Sequence, residues 1–272
     1  MKLKCYGTAA AEAIPAPYCS CPVCENARTK GGRELRTRHL STIDQDIQLD
    51  MGPDFLFYTL HMGLDARKIR HLVVTHAHGD HLSPYELGLR KSPYSLTDVE
   101  TLQIIGNAAS IEMVKTATED YAEQRLKLVE TIHFTPIVLD EVTTVTPLPA
   151  NHAPQIGGGN IYVIERGGKK LLYAHDTGPM FEEVYTWLAG KQLNAVSLDC
   201  TGVYNGAGEH HMGLSECDET VRRLHESGAL KADGICIINH YSHGGGASYE
   251  QLAAEADKRG WIATYDGIEI EI

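Results

Sequence analysis

The feature that most constrains this chain is a group of metal-ligand side chains at the end of one short apolar run. Residues 71–75 are mainly apolar and lead directly into the pattern His-x-His-x-Asp-His at residues 76–81. Alternate side chains of an extended strand point the same way, so His76 and His78 share one side. Gly79 permits a sharp turn, so the Asp and the last His can face a second point nearby. Because structural zinc sites prefer closed, Cys-rich sets, this pattern predicts a catalytic metal centre.

The pattern resembles the metal-binding signature of the metallo-β-lactamase superfamily, in which His-x-His-x-Asp-His also follows a strand. That family has a further His, a bridging Asp and a last His, each after a later strand, and this sequence fills each position in order. The resemblance implies two divalent metal ions, Mn or Zn. The implied ligands are His76, His78 and His152 for one ion, Asp80, His81 and His240 for the other, and Asp176 as the bridge.

We expect a further role for two carboxylates, one outside this ligand set and one within it. Asp50 lies early in the chain before a Gly turn, and the resemblance implies that it orients a ligand from behind. Asp80 is a candidate catalytic residue as well as a ligand.

Short apolar or alternating runs that end in Gly, Pro, Asp or His predict strands, and three- to four-residue periodicity predicts helices. The predicted strands are 2–6, 41–49, 71–75, 101–105, 143–148, 161–166, 170–174, 195–199, 235–239 and 268–272. The predicted helices are 110–122, 180–189, 215–226 and 248–259. No repeat or linker divides the sequence, so residues 1–272 are expected to form one domain of layered α/β structure. The resemblance specifies a four-layer αββα sandwich.

Three cysteines crowd into one turn-rich segment near residues 15–28. Cys19, Cys21 and Cys24 supply three soft ligands, and His243, three residues after His240, is the candidate fourth ligand of a zinc site. Ordinary buried thiols are one alternative, and a redox pair is another, although no thioredoxin-like context surrounds the segment. The segment is similar to that of the PhnP-type phosphodiesterases and of their PqqB-type relatives. The PhnP-type resemblance implies one structural zinc held by these four residues.

A histidine pair precedes an amphipathic stretch in the last third of the chain. His211 is the candidate general acid that protonates the leaving alkoxide, as the resemblance to the phosphodiesterase branch implies, and His210 is its rival. The alternative is a solvent-exposed pair at a helix entry.

Composition limits the partners and the compartment. The formal net charge is -12, which disfavours nucleic acid as a partner because phosphate backbones bind basic surfaces. No apolar run is long enough for a signal peptide or a membrane helix, so we expect a cytoplasmic protein without a membrane partner. A homodimer is implied by the family resemblance alone.

These features predict a metal-dependent hydrolase, specifically a phosphodiesterase acting on a small phosphorylated substrate. The PhnP-type resemblance implies a small or cyclic phosphate ester such as a ribosyl cyclic phosphate. The alternatives are a lactonase or thioesterase on the same scaffold, a tRNA-processing nuclease, and a PqqB-like binding or carrier protein. The acidic charge weakens the nuclease, and the full ligand set argues against a carrier. The metal ligands alone do not separate a lactonase from a phosphodiesterase.

Overall fold

Two mixed β-sheets packed face to face form the centre of the molecule. The computed structural model describes residues 1–118, 121–206 and 208–272, and within these residues each sheet has seven strands. The strands are β1 Lys2–Gly7, β2 Leu40–Ile43, β3 Ile47–Leu49, β4 His71–Val73, β5 Leu102–Gly106, β6 Leu126–Glu130, β7 Ile137–Asp140, β8 Thr143–Ala150, β9 Gly159–Arg166, β10 Lys169–Ala174, β11 Leu193–Asp199, β12 Leu230–Asn239, β13 Ile262–Ala263 and β14 Glu269–Glu271.

Helices cover the outer face of each sheet. They are α1 Pro22–Lys30, α2 Phe55–His61, α3 Ala108–Ala117, α4 Tyr121–Gln124, α5 Glu182–Leu188, α6 Leu214–Glu226 and α7 Tyr249–Arg259. Among the described residues, every helix is too short or too polar to cross a lipid bilayer.

The two sheets share one pattern of strand pairing. The first has the order β14-β1-β2-β3-β4-β5-β6 and the second β13-β12-β11-β10-β9-β8-β7. In the first sheet the pairs from β14 to β3 are antiparallel and those from β3 to β6 are parallel. In the second, the pairs from β7 to β10 are antiparallel and those from β10 to β13 are parallel. Each sheet therefore joins an antiparallel half to a parallel half.

Three apolar clusters hold the layers together, and each fills one interface. Residues such as Ile47, Val73 and Tyr173 pack between the sheets. A second cluster joins the outer face of the second sheet to α1, α5, α6 and α7, and a third joins the first sheet to α2 and α3. Burial of these side chains contributes roughly 25 cal/mol per Å² of apolar surface. The arrangement is the four-layer αββα sandwich that the sequence predicts.

Three strands end in residues that have the left-handed backbone conformation. Asp50 after β3 has φ 65°, Asp176 after β10 has φ 48°, and His240 after β12 has φ 63°. Non-glycine residues rarely adopt positive φ, and such residues concentrate where a chain must turn sharply to present a side chain. Each of the three turns points its side chain toward the same end of the sandwich.

Most predicted elements are confirmed, and the differences have local causes. The run 41–49 is two strands, because Asp44 and Gln45 take positive φ and form a turn between β2 and β3. The region predicted as helix 110–122 contains α3 and α4, while residues 119 and 120 lie outside the described part. The helix predicted from residue 215 begins at Leu214, where the backbone N–H of Gly213 donates to the Glu216 carboxylate.

Candidate metal centre and active site

Three histidines converge after β4 and β8 and form the first ligand cluster, His76, His78 and His152. His76 Nε2 lies 2.8 Å from His78 Nδ1, and His152 Nε2 lies 3.3 Å from the same atom. The facing nitrogen of a neutral imidazole can present a lone pair, and three such nitrogens converge here. A cation between them satisfies all three lone pairs, so the geometry fits a metal ion.

The second ligand cluster combines Asp80, His81, Asp176 and His240. His81 Nε2 lies 2.6 Å from Asp176 Oδ2, 3.3 Å from Asp80 Oδ2 and 3.2 Å from His240 Nε2. Asp176 Oδ2 also lies 3.4 Å from His76 Nε2, so this carboxylate lies between the two clusters. The other oxygen, Asp176 Oδ1, is buried and accepts no hydrogen bond within the described residues. Such an orphaned oxygen among histidines fits a bridging metal ligand.

Neighbouring groups hold the second nitrogen of three of the ligand rings. His81 Nδ1 lies 2.7 Å from Asp50 Oδ2, and His152 Nδ1 donates to the carbonyl of His210 at 3.1 Å. His240 Nδ1 lies 2.9 Å from the hydroxyl of Thr201, which itself donates to the His240 carbonyl. These partners leave Nε2 of His81, His152 and His240 facing the ligand clusters, whereas His78 faces them with Nδ1. Asp50 therefore has the orienting position that the sequence predicts.

The charges in this region depend on one another. Burial disfavours a charged His81, but Asp176 and Asp50 overcome that effect and raise its pKa well above the usual value. The pKa of His76 is well below its usual value, because of burial and because His81 carries a charge nearby. Burial opposes ionisation of Asp80, yet its interaction with His81 lowers the pKa of Asp80. Asp80 is therefore ionised at neutral pH, which suits a ligand and rules out a proton donor.

An Asp–His pair flanks the second cluster, and the sequence indicated only its histidine. His211 Nδ1 lies 2.9 Å from Asp199 Oδ2 and 3.3 Å from Asp176 Oδ1. Burial lowers the pKa of His211, but the hydrogen bond to Asp199 outweighs it and raises the pKa to about 9. The rival His210 is exposed and faces the Asn151 carbonyl at 3.4 Å. Of the neighbouring histidines His210 and His211, His211 is therefore the one that faces the ligand clusters.

Asp199 holds backbone groups as well as His211. Its Oδ1 accepts the N–H groups of Thr201 at 2.9 Å and Met212 at 3.2 Å, and its Oδ2 also accepts the N–H of Thr177 at 3.3 Å. Asp199, His211, Asp176 and His240 form a further group that could hold a metal. However, these backbone bonds occupy the carboxylate, so Asp199 is placed to orient His211. No sequence signal marked it, because Asp199 ends an ordinary apolar strand.

Two buried histidines lie behind the ligands without joining them. His175 Nε2 lies 2.7 Å from the Ser197 hydroxyl, and His39 forms a short hydrogen bond with the Tyr173 hydroxyl. The ring of His39 lies 6.0 Å from that of His81. The sequence predicted that both residues are not ligands, and the structure places neither in a ligand cluster.

The third ligand cluster brings together Cys19, Cys21, Cys24 and His243. His243 Nδ1 lies 3.5 Å from Cys19 Sγ and 3.4 Å from Cys21 Sγ. Cys21 is the residue before α1 and Cys24 lies within it, so a helix supplies part of a segment that the sequence described as turns. Burial opposes ionisation of Cys21, but hydrogen bonds from the Cys24 backbone and from His243 lower its pKa to about 6. Three thiols and one imidazole match the donor set of a closed zinc site.

A cleft of about 240 Å³ opens over the first two ligand clusters. His78, Asp80, His152, Asp176, His240 and His211 line its floor. Its walls are formed by Ala10, Ala11, Glu12, Thr201 and Ser242. The first two clusters could hold metal ions at the floor of this cleft, and the Asp–His pair lies beside them.

A family model described as "Beta-lactamase superfamily domain" matches residues 46–232, more than half of the chain. The chain belongs to the β-lactamase superfamily. Its fold and its His/Asp clusters are those of a metal-dependent hydrolase of this superfamily. No curated protein matches the sequence significantly.

Solved structures share the fold of this superfamily member over its whole length. A diphosphatase from the PhnP family has a TM-score of 0.74 and 21% identity, with 100% of this chain and 97% of that chain covered. Zn²⁺-bound PqqB from Methylobacterium extorquens has a TM-score of 0.74 and 17% identity, with 100% of both chains covered. The short form of human tRNase Z has a TM-score of 0.65 and 15% identity, with 100% and 99% covered. At these identities the likeness concerns the fold.

Proposed function

We propose that this protein is a dinuclear-metal phosphodiesterase that hydrolyses a small or cyclic phosphate ester. The observation that carries the proposal is the position of His211, 2.9 Å from Asp199 and facing a cleft whose floor is two adjoining ligand clusters. A proton donor beside two metals suits a reaction in which an alkoxide leaves a phosphorus centre. The similarity of the fold to a PhnP-family diphosphatase is consistent with this reaction.

The residues that would hold the active-site metals follow from the geometry. His76, His78 and His152 would hold one divalent ion, Asp80, His81 and His240 the other, and Asp176 would bridge them. Mn²⁺ and Zn²⁺ both accept such mixed nitrogen and oxygen ligands. When bound, a pair of divalent ions neutralises charge on the phosphoryl oxygens and makes water a better nucleophile.

The chain itself contributes positioning and a proton. Asp50 fixes the ring of His81, and Thr201 fixes that of His240, so the ligands need little rearrangement on binding. Asp199 holds His211 in its protonated form, since the carboxylate stabilises the imidazolium. We assign to His211 the protonation of the leaving oxygen, with an expected contribution of roughly 10²–10⁴ in rate.

Paired substrates with different leaving groups test this function. The metal-loaded protein should hydrolyse bis(p-nitrophenyl) phosphate in the presence of Mn²⁺. His211→Ala should retain much of that activity, because p-nitrophenolate leaves without protonation. The same variant should lose at least a hundredfold on a diester whose leaving group is an alkoxide. His210→Ala is the matched control and should behave as the wild type does on both substrates.

A lactonase or thioesterase is the alternative on the same scaffold, since the fold and ligand set serve several chemistries. Efficient hydrolysis of a lactone by the metal-loaded protein, without turnover of either diester, would exclude the phosphodiesterase. A PqqB-like binding protein would show metal uptake without any of these activities.

A further inference from the structure

Glu12 provides a carboxylate in the cleft wall that the metal clusters do not use. Its side chain lines the cleft together with the ligands, and it belongs to none of the ligand clusters found among the described residues. No sequence motif marks Glu12, which lies in a short loop. The carboxylate is about one-third exposed, with 32% of the side chain accessible, so it faces whatever enters the cleft.

The loop that carries Glu12 is held on both sides. The Ala10 N–H donates to the Tyr241 carbonyl at 2.9 Å, and the Ala13 N–H closes a turn onto the Ala10 carbonyl at 3.1 Å. Ile14 and Arg36 then exchange two backbone hydrogen bonds of 2.8 and 2.7 Å. The carboxylate therefore has a defined position, which a specificity-determining group needs.

Both close contacts of Glu12 involve one of its two oxygens. Oε1 accepts a short hydrogen bond from the Ser242 hydroxyl and lies 3.6 Å from His243 Nε2. Within the described part of the chain, no hydrogen bond holds Oε2, and Glu12 is one of the residues that line the cleft.

The positively charged side chain on the cleft floor is the His211 imidazolium, and the cleft wall around Glu12 supplies none among the described residues. Among the described residues that line the cleft there is no Lys or Arg. A zinc ion held by three thiolates and a neutral His243 would carry a net charge of about −1, so the third cluster would not supply a compensating positive charge. A ligand in the cleft therefore meets a fixed negative charge at the wall and the metal ligands at the floor.

We infer that Glu12 selects ligands by charge, admitting singly charged phosphodiesters and disfavouring doubly charged phosphomonoesters. This inference rests on the proposed function and adds to it the charge class of the substrate. At pH 8 a phosphomonoester is a dianion, since its second pKa is about 6, whereas a diester carries one charge. A second charge near the carboxylate adds a repulsion large enough to weaken binding roughly tenfold at the effective dielectric of a protein surface.

The test compares two ligands that have no ester bond and therefore are not hydrolysed, phenylphosphonate as the dianion and methyl(phenyl)phosphinate as the monoanion. Each is titrated calorimetrically at pH 8.5 into the Mn²⁺-loaded wild type and into Glu12→Gln, which keeps the shape and the Ser242 hydrogen bond. Glu12→Gln should bind phenylphosphonate about tenfold more tightly. The affinity for methyl(phenyl)phosphinate should change less than twofold.

Glu141→Gln is the control variant, because it removes the same charge from the exposed turn before β8, away from the cleft. It should leave both affinities unchanged. An unchanged ratio of the two affinities in Glu12→Gln would overturn the inference. Loss of zinc from the third cluster in Glu12→Gln would also overturn it, because Glu12 would then act through His243.

Catalytic assays separate this inference from the proposed function. If the wild type hydrolyses neither diester, the phosphodiesterase proposal fails, while the binding ratio still decides the role of Glu12. If the wild type is active, the ratio of kcat/KM for p-nitrophenyl phosphate over bis(p-nitrophenyl) phosphate should rise about tenfold in Glu12→Gln.

Discussion

At the scale of single residues, the site depends on which nitrogen of each ring carries a proton. Asp50 and Thr201 fix the outer nitrogens of His81 and His240, and Asp199 fixes that of His211. Because Asp199 also holds backbone N–H groups of both neighbouring loops, the orientation of His211 is coupled to the strands that carry the metal ligands. The proton donor and the metal ligands are thus positioned by one buried network.

Asp199→Asn should weaken the action of His211 without removing it. The imidazolium is the active form of a general acid, so activity holds below the pKa of His211 and falls as pH rises through it. Asp199 raises that pKa to about 9, so loss of its charge should move the basic limb of the pH–rate profile to lower pH. Bound metal cations lower the pKa of His211 in the wild type and in Asp199→Asn alike. The pKa of His211 should therefore still be lower in the variant than in the wild type.

The measurement is kcat as a function of pH on a diester with an alkoxide leaving group. We expect a fall of about 10–100-fold in kcat for Asp199→Asn, typical of a residue that orients another. With a p-nitrophenolate leaving group, the two proteins should differ little. A basic limb that stays in place would show that His211 does not act as the acid.

At the scale of the elements, the end of β3 is packed against the loop that carries Asp80. A Cβ on Gly52 would lie 2.0 Å from the Asp80 carbonyl oxygen. Gly52→Ala must therefore displace backbone that presents a ligand of the second cluster. We expect a loss of stability of about 1–3 kcal/mol, typical of overpacking, and weaker binding of one active-site metal.

Gly88→Ala is the matched control, since a Cβ there meets nothing within 4 Å and its φ is not positive. Metal titration and thermal unfolding of both variants check the prediction. Equal metal affinity in Gly52→Ala and the wild type would mean that the loop carrying Asp80 adjusts freely.

The loop between β12 and α7 joins the second and third ligand clusters. It carries His240 at one end and His243 three residues later, and His243 faces Cys19 and Cys21. Cys21→Ser replaces a thiolate ligand by a poor one, so the zinc content should fall by about one per chain and kcat should fall with it. Ser20→Ala, at the exposed neighbouring position, should change neither quantity. Full zinc content with unchanged kinetics in Cys21→Ser would remove the link between the two clusters.

The sequence predicted the parts of the site that are local in the chain. Residues 76–81 supply four ligand side chains after one strand, and a strand followed by a turn determines where they point. Asp199 and Glu12 could not be predicted in this way. Their roles arise from pairing between β10, β11 and β12 and from contacts of the 10–13 turn with Tyr241. Helix α1 was missed because only three of its nine residues are buried, so its apolar periodicity is weak.

At the scale of the whole molecule, the two sheets meet at the metal centre, and the ligand clusters draw on both. β3 and β4 of the first sheet lead into Asp50 and His76, whereas β10 and β12 of the second lead into Asp176 and His240. Metals bound there would connect the two halves of the sandwich. The carboxylate of Asp176 is buried among histidines at this junction, and its Oδ1 accepts no hydrogen bond within the described residues.

Metal removal should therefore reduce activity and stability in two separable steps. A ligand that binds only the folded state stabilises it by about 4 kcal/mol at a concentration 1,000 times its Kd. Each kcal/mol of stabilisation raises Tm by roughly 2–4 °C in a chain of 150–250 residues. The active-site clusters open into the cleft, so a chelator should remove these metals first and abolish activity with a moderate fall in Tm. The closed Cys-rich cluster should release its zinc only at higher chelator concentration or after partial unfolding, with a second and larger fall.

Elemental analysis at each step, together with thermal unfolding and turnover, checks this order. We expect about three metals per chain at the start and one zinc after the first step. Restoring Mn²⁺ after the first step should restore activity and Tm together, because the ligand rings are already oriented by Asp50 and Thr201. Loss of zinc from the Cys-rich cluster before activity declines would contradict the assignment, since the structural ion would then be the more weakly held.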